Sequence, residues 1–218
     1  MTSVNTTLSA ERRYFSLAQV AQHLPQPQLP VDDATLNHYL DELYQLGRLR
    51  HTPNISPENV AFLRERLLQH RPQRILELGC ANGYSSLRLW QITRVWHAKI
   101  VTMDVSRPAF EEARHHFDTL GADIELHFGN ALELLPLIQS SSPEGFDLIF
   151  IDAQKAQTLA LYLCAAPLAA QNALIMVDDV LKFKHKMLDF YAYLQQNDIH
   201  YEIHQLDDDD DGVMLIQT

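Results

Sequence analysis

The chain has 218 residues, 46% hydrophobic and 21% charged, enough to bury one sizeable core and to form one main domain with a modest N-terminal extension. Its formal net charge of −11 disfavours a general polyanion binder, and no apolar run of about 18 residues or leader-like segment suggests a membrane span or a secretory signal. Two cysteines, Cys80 and Cys164, make no disulfide framework, so a reducing cytoplasm is the expected compartment.

Residues 1–9 are polar and expected to be disordered, and residues 10–24 are expected to form a helix closed by the prolines between Pro25 and Pro30. Asp32 or Asp33 can cap a second helix with Leu36, Tyr39, Leu40, Leu43 and Leu46 on one face, and Gly47 is expected to end it. These helices make an N-terminal cap over residues 1–53, before a main domain of residues 54–218. Their faint likeness to a helix-turn-helix is weakened by the long proline-filled spacing and little surplus positive charge. A lid or dimer role is favoured over DNA reading. A third helix follows, with Ser56 as N-cap, Pro57 in the first turn, and Val60, Leu63 and Leu67 inward.

Residues 74–78 read as a short buried strand that breaks into a loop with Gly79 and Gly83 before an amphipathic helix resumes at Ser85. The unpaired N–H groups and positive dipole end of that helix face the loop, making it a seat for an anionic or polar ligand. Ala81 stands where a dinucleotide fingerprint would have its second glycine, so the loop alone is a weak signal. The next strand ends at Asp104, placed to accept from both ribose hydroxyls of an adenosine. A helix over 108–120, a strand over 124–128 and the turn Gly129-Asn130-Ala131 come next. Residues 146–152 form a near-continuous apolar strand ending in Asp152, and residues 173–179 another ending in Asp178 and Asp179. Two C-terminal strands, near 200–206 and 212–217, flank an aspartate run and form a hairpin.

If the strands ending in Asp152 and Asp178 are neighbours, three carboxylates converge on one small volume. Like charges that close raise one another's pKa or demand a cation, and a hard divalent ion such as Mg²⁺ is the simplest partner. The alternative is that Asp178 and Asp179 cap a loop or pair with Lys182, Lys184 and Lys186. The run Asp207–Asp211 lacks the glutamate of a calcium loop and reads as a solvated hairpin tip. His200 and His204, though zinc-spaced, read as surface residues, and Cys80 as a small packing residue.

The words ELGCANGYSS and VTMDVSRPAFEEAR closely resemble the S-adenosylmethionine site of the catechol O-methyltransferase-like family (family 3), the small metal-dependent O-methyltransferases, and the likeness runs from about Asn54 onward. The resemblance implies a Rossmann-like α/β class I methyltransferase with a seven-stranded mixed sheet and helices on both faces. It implies cofactor contacts from Ile55, Glu77, Gly79, Gly83, Ser85, Asp104, Asn130, Ala131 and Asp152, with Asn54 and Ile55 near the methionine end and Asn130 and Ala131 near adenine. It implies metal ligation by Asp152 and Asp178, to which Asp179 adds an oxygen, and a general base at Lys155, whose pKa a neighbouring dication would lower. This chain departs from the family in having Asp179 where Asn is usual and Gln154 where Asp is frequent, so Gln154 is left out of the metal set. The expected function is methylation of a small hydroxylated, catechol-like substrate by a cytoplasmic homodimer without membrane contact. The alternatives are methylation of a hydroxyuridine in tRNA and a non-catalytic S-adenosylmethionine-binding regulator.

Overall fold

The computed structural model describes residues 16–142, 144–206 and 212–218. The expected disordered segment 1–9, the first part of the helix expected from residue 10 and the aspartate run lie outside the described residues. The described strands are β1 (Arg74–Leu78), β2 (Lys99–Asp104), β3 (Ile124–Phe128), β4 (Phe146–Ile151), β5 (Ala169–Val177), β6 (Glu202–Gln205) and β7 (Gly212–Gln217). The described helices are α1 (Leu17–His23), α2 (Asp33–Arg50), α3 (Pro57–His70), α4 (Tyr84–Thr93), α5 (Arg107–Leu120), α6 (Ala131–Ser141), α7 (Thr158–Ala165) and α8 (Leu188–Gln196). None of them is long and apolar enough to cross a membrane.

The strands form one sheet in the order β3-β2-β1-β4-β5-β7-β6. The first five are parallel, and β7 runs antiparallel to both β5 and β6. This is the expected seven-stranded mixed sheet. Alternation along the central strands divides the core in two. Leu76, Leu78, Ile149, Ile151 and Ile175 face α6, α7 and α8 through Leu135, Leu161 and Phe190. Ile75, Leu148, Phe150 and Met176 face the other way, into a cluster shared with α1 to α5. Asp147 is the polar exception in β4; its carboxylate accepts the N–H groups of Gln73 and Arg74, each at 2.8 Å, and so ties the start of β1 to β4.

The chain lays down β1, β2 and β3 outward in one direction, then returns to place β4 on the other side of β1. Loops leaving the carboxyl ends of β1 and β4 therefore diverge and open a crevice, the usual ligand position in such a sheet.

Gly47 does not end α2. The helix continues to Arg50 and closes at His51 in the left-handed conformation, φ 59°. Gly47 is instead a point of close approach, because a Cβ there would collide with the Asn54 side chain. At the last turn of α2, Arg50 grips Glu112 of α5 with two guanidinium N–H groups, one at 3.0 Å, and both side chains are 1% exposed. Glu112 lies 3.5 Å from His116 Nε2, and the other ring nitrogen of His116 meets Tyr39 Oη at 2.7 Å. This buried chain of polar groups fastens α2 to α5 just before the backbone enters the crevice wall at Asn54.

Candidate active site

A cleft of about 920 Å³ lies at the carboxyl ends of β1, β2, β4 and β5. Its floor is the loop after β1. Gly79 has φ +92°, and a Cβ there would run into the carbonyl oxygen of Asp152, so only glycine fits. Ser85, in the first turn of α4, faces the cleft, as do Gly79, Cys80 and Ala81.

Asp104 shapes this loop. Its Oδ2 accepts the Ala81 N–H at 2.9 Å and its Oδ1 the Ser106 N–H at 2.7 Å, leaving lone pairs toward the cleft that it lines. Burial raises its pKa, and the N–H groups of Ser106 and Ala81 oppose that rise. Ile55, Asn130 and Ala131 also line the cleft, with Asn130 Oδ1 capping α6 through the Leu132 N–H at 3.1 Å.

Two residues expected at the cofactor stand behind the loop instead. Gly83 does not line the cleft; a Cβ there would meet Phe117 Cε1 at 2.7 Å, so it serves the contact between α4 and α5. Glu77 is 0% exposed and absent from the lining, since it points from β1 beneath the loop. Its Oε2 accepts from Ser86 Oγ and, at 2.6 Å, from Thr102 Oγ1, while Oε1 has no partner. Burial pushes its pKa up to about 7, against the opposing effect of the Ser85, Ser86 and Thr102 hydroxyls nearby.

The acidic residues do converge. Ile151 and Val177 are register partners in the parallel pair β4 and β5, so Asp152 and Asp178 leave the two strands side by side, and the Asp178 N–H donates to Ile151 O at 3.1 Å. Ligand oxygens of Asp152, Asp178 and Asp179 all lie within 4.8 Å of one another. Asp179 has φ +62°, a conformation that Asp tolerates better than bulkier residues. Lys155 Nζ sits among them, 2.6 Å from Asp152 Oδ1, 3.1 Å from Asp179 Oδ2 and 3.4 Å from the Asp178 carbonyl oxygen. Burial alone would lower the lysine's pKa, but the charges of Asp152, Asp178 and Asp179 outweigh it and raise the pKa. The sequence expectation of a lowered value assumed a dication as the nearest charge; here the nearest charges are carboxylates.

Asn59 is the cluster residue that sequence reasoning missed. It projects from the first turn of α3, is 4% exposed, and donates Nδ2 to Asp178 Oδ1 at 3.0 Å. A lone Asn in a helical first turn carries no signal of a contact 119 residues away. Lys182, Lys184 and Lys186 do not take the aspartates as partners; Lys155 does. The zinc-spaced pair does not form a site either, with His204 Nε2 3.4 Å from Glu202 and its ring against Phe62. Among the described residues the three aspartates are the one group suited to a metal ion. Three carboxylates with a single ammonium leave a surplus of hard oxygen donors, the donor set that suits Mg²⁺.

A family model for O-methyltransferases matches residues 32–204. The chain is 35% identical over 128 residues to O-methyltransferase hkm8 of Aspergillus hancockii, covering 57% of this chain and 49% of that protein. It is 34% identical over 112 residues to a catechol O-methyltransferase of Mycobacterium tuberculosis, covering 50% of this chain and 49% of that one. The chain thus spans about half the length of these curated relatives. An O-methyltransferase from Bacillus cereus, solved in complex with SAH, shares the fold with a TM-score of 0.73 at 24% identity, over 92% of this chain and 97% of that one.

Proposed function

The chain belongs to the O-methyltransferase family, and on that premise we propose that it transfers the methyl group of S-adenosylmethionine to an oxygen of a small hydroxylated, catechol-like acceptor with a divalent metal ion bound. The observation that carries this reading is the meeting, in one cleft, of the glycine loop with Asp152, Asp178, Asp179 and Lys155. The names of the relatives support the reaction class, and catechol in one of them supports the acceptor. The two free cysteines agree with a reducing cytoplasm.

When bound, S-adenosylmethionine supplies an electrophilic methyl group and the divalent ion supplies positive charge that acidifies a hydroxyl. The chain's own residues do the rest. Gly79, Ala81, Ser85 and Ile55 would hold the cofactor's methionine end, Asp104 would take the ribose, and Asn130 and Ala131 would lie against the adenine. Asp152, Asp178 and Asp179 would hold the ion, and the Asn59 side chain, donating to Asp178 Oδ1, orients that carboxylate. With the carboxylate charges neutralised by the ion, Lys155 would give up its own proton to solvent, and its neutral Nζ would then take the proton that leaves the acceptor oxygen. The carbon–sulfur bond would break as the carbon–oxygen bond formed, so the chain's contribution would be orientation and charge stabilisation. The contribution of Gly83 and Glu77 is to shape the loop from behind.

The test is methyl transfer from labelled cofactor to a catechol, with Mg²⁺ and with a chelator, for the natural chain and for Asp152→Ala. Turnover that stops with chelator and in the variant, while calorimetry shows the variant still binding cofactor, supports the reading. Turnover indifferent to chelator removes the metal from it, and cofactor binding with no turnover on any hydroxylated acceptor favours a regulator.

A further inference from the structure

Three of the chain's five lysines fall within residues 182–186, in a chain with 28 acidic residues against 17 Lys and Arg. They follow β5 directly. The Asp179 carbonyl accepts the Phe183 N–H at 3.1 Å and the Phe183 carbonyl accepts the Lys186 N–H at 2.8 Å, so the tract curls back against the acid cluster it extends from. Lys182, Phe183 and Lys186 line the cleft; Lys184 does not and lies over the Tyr191 ring at 5.0 Å. Lys186 Nζ is 4.9 Å from the centre of the Phe183 ring.

The charges along the cleft are sorted by strand order. Asp104 stands at β2, the glycine loop at β1, Asp152 at β4, Asp178 and Asp179 at β5, and the lysines beyond them. Lys155 and one dication would balance the three aspartates. Lys182 and Lys186 remain, exposed, with no carboxylate of the described residues within 4 Å, at the end of the cleft farthest from Asp104. An anionic group there gains a charge-assisted hydrogen bond from each lysine, which a neutral acceptor does not.

Resting on the proposed O-methyl transfer, we infer that the acceptor carries an anionic group, a carboxylate or a phosphate, which Lys182 and Lys186 bind at the rim while the acceptor hydroxyl lies at the aspartates. Phe183 lies between the two lysines in sequence and gives the acceptor's ring an apolar wall.

The experiment compares kcat/KM for 3,4-dihydroxybenzoate, for its uncharged amide, and for 2-(3,4-dihydroxyphenyl)ethyl phosphate, with bulk tRNA as a separate arm. The same set is run on Lys182→Met/Lys186→Met and on Lys184→Met, and calorimetry with cofactor product present reads binding of the benzoate and the amide without turnover. The expected result is a preference for an acid over the amide that falls about tenfold in the double variant, chiefly through KM, and is kept in Lys184→Met; the better of the two acids identifies carboxylate or phosphate. Equal use of acid and amide, or an unchanged ratio in the double variant, overturns the inference while leaving methyl transfer standing. Methylation of tRNA with the small acceptors silent overturns it in favour of RNA. If no acceptor is methylated, the proposed function fails, and calorimetry showing no preference for the benzoate, or one the double variant keeps, overturns the inference as well.

Discussion

Two charged clusters in this molecule are built from similar parts to opposite ends. Arg50, Glu112, His116 and Tyr39 form a closed set in which one guanidinium answers one carboxylate, both 1% exposed. Burial lowers the pKa of His116, which favours its neutral form, and Glu112 is held below the usual carboxylate range by His116 and Arg50 despite its burial. Asp152, Asp178, Asp179 and Lys155 form an open set, with three carboxylates answered by one ammonium beside a cleft. A network that only joins two helices can balance its charge within itself. One that is to receive a ligand must leave part of its charge unanswered, and the fold must hold it there.

The contrast is broken most sharply by exchanging the two losses. Asp178→Asn keeps the shape and an acceptor for Asn59 but removes a charge from the open set, so turnover is expected to fall about a thousandfold or more while the melting temperature stays within about 2 °C. A stability loss as large as that of a core variant would show the aspartates to be structural. Glu112→Ala should do the reverse. It takes the carboxylate away from the buried Arg50 guanidinium, a loss of roughly 3–5 kcal/mol, read as a drop of about 10 °C in the melting temperature, with the remaining folded protein still binding Mg²⁺.

Glu77 sits between the two types, buried at 0% exposure beneath the glycine loop that borders the cleft, with its pKa pushed up to about 7. Because the folded value exceeds the ordinary 4.5, the folded state binds its proton more tightly than the unfolded chain does. Its contribution is complete below about pH 4.5 and is lost as pH rises to about 7, a decline of roughly 3 kcal/mol. Chemical denaturation of the natural chain and Glu77→Gln across that window should show the decline in the first and a flatter curve in the second. The smallest effect is expected from the ion itself. Mg²⁺ at ten times its dissociation constant should stabilise the natural chain by about 1.4 kcal/mol, and Asp178→Asn at the same concentration by much less. A full shift in the variant would place the ion elsewhere.

The open set was legible in the sequence and the closed one was not. Asp152 and Asp178 each follow an apolar strand, and Gly79 and Asp104 sit at fixed offsets within one strand–loop–helix–strand unit, so local pattern carries them. Arg50 and Glu112 are 62 residues apart and Tyr39 and His116 are 77 apart, and each helix carries other charged residues from which nothing in the local pattern singles these out. Gly47 was misread because the same residue type marks a helix end and a close approach, and only the position of Asn54 tells them apart. For Gly83 and Glu77 the motif gave the neighbourhood correctly but not the side of the loop, which depends on α5 and on the pleat of β1.

The return of the chain across β1 to lay down β4 has a bearing on how new activities arise on this scaffold. The crevice comes from connectivity and persists whatever side chains border it, while the tract after β5 that borders its far end is largely surface. On the proposed function, the acceptor preference would drift by editing that tract alone, without disturbing the parts on which folding depends.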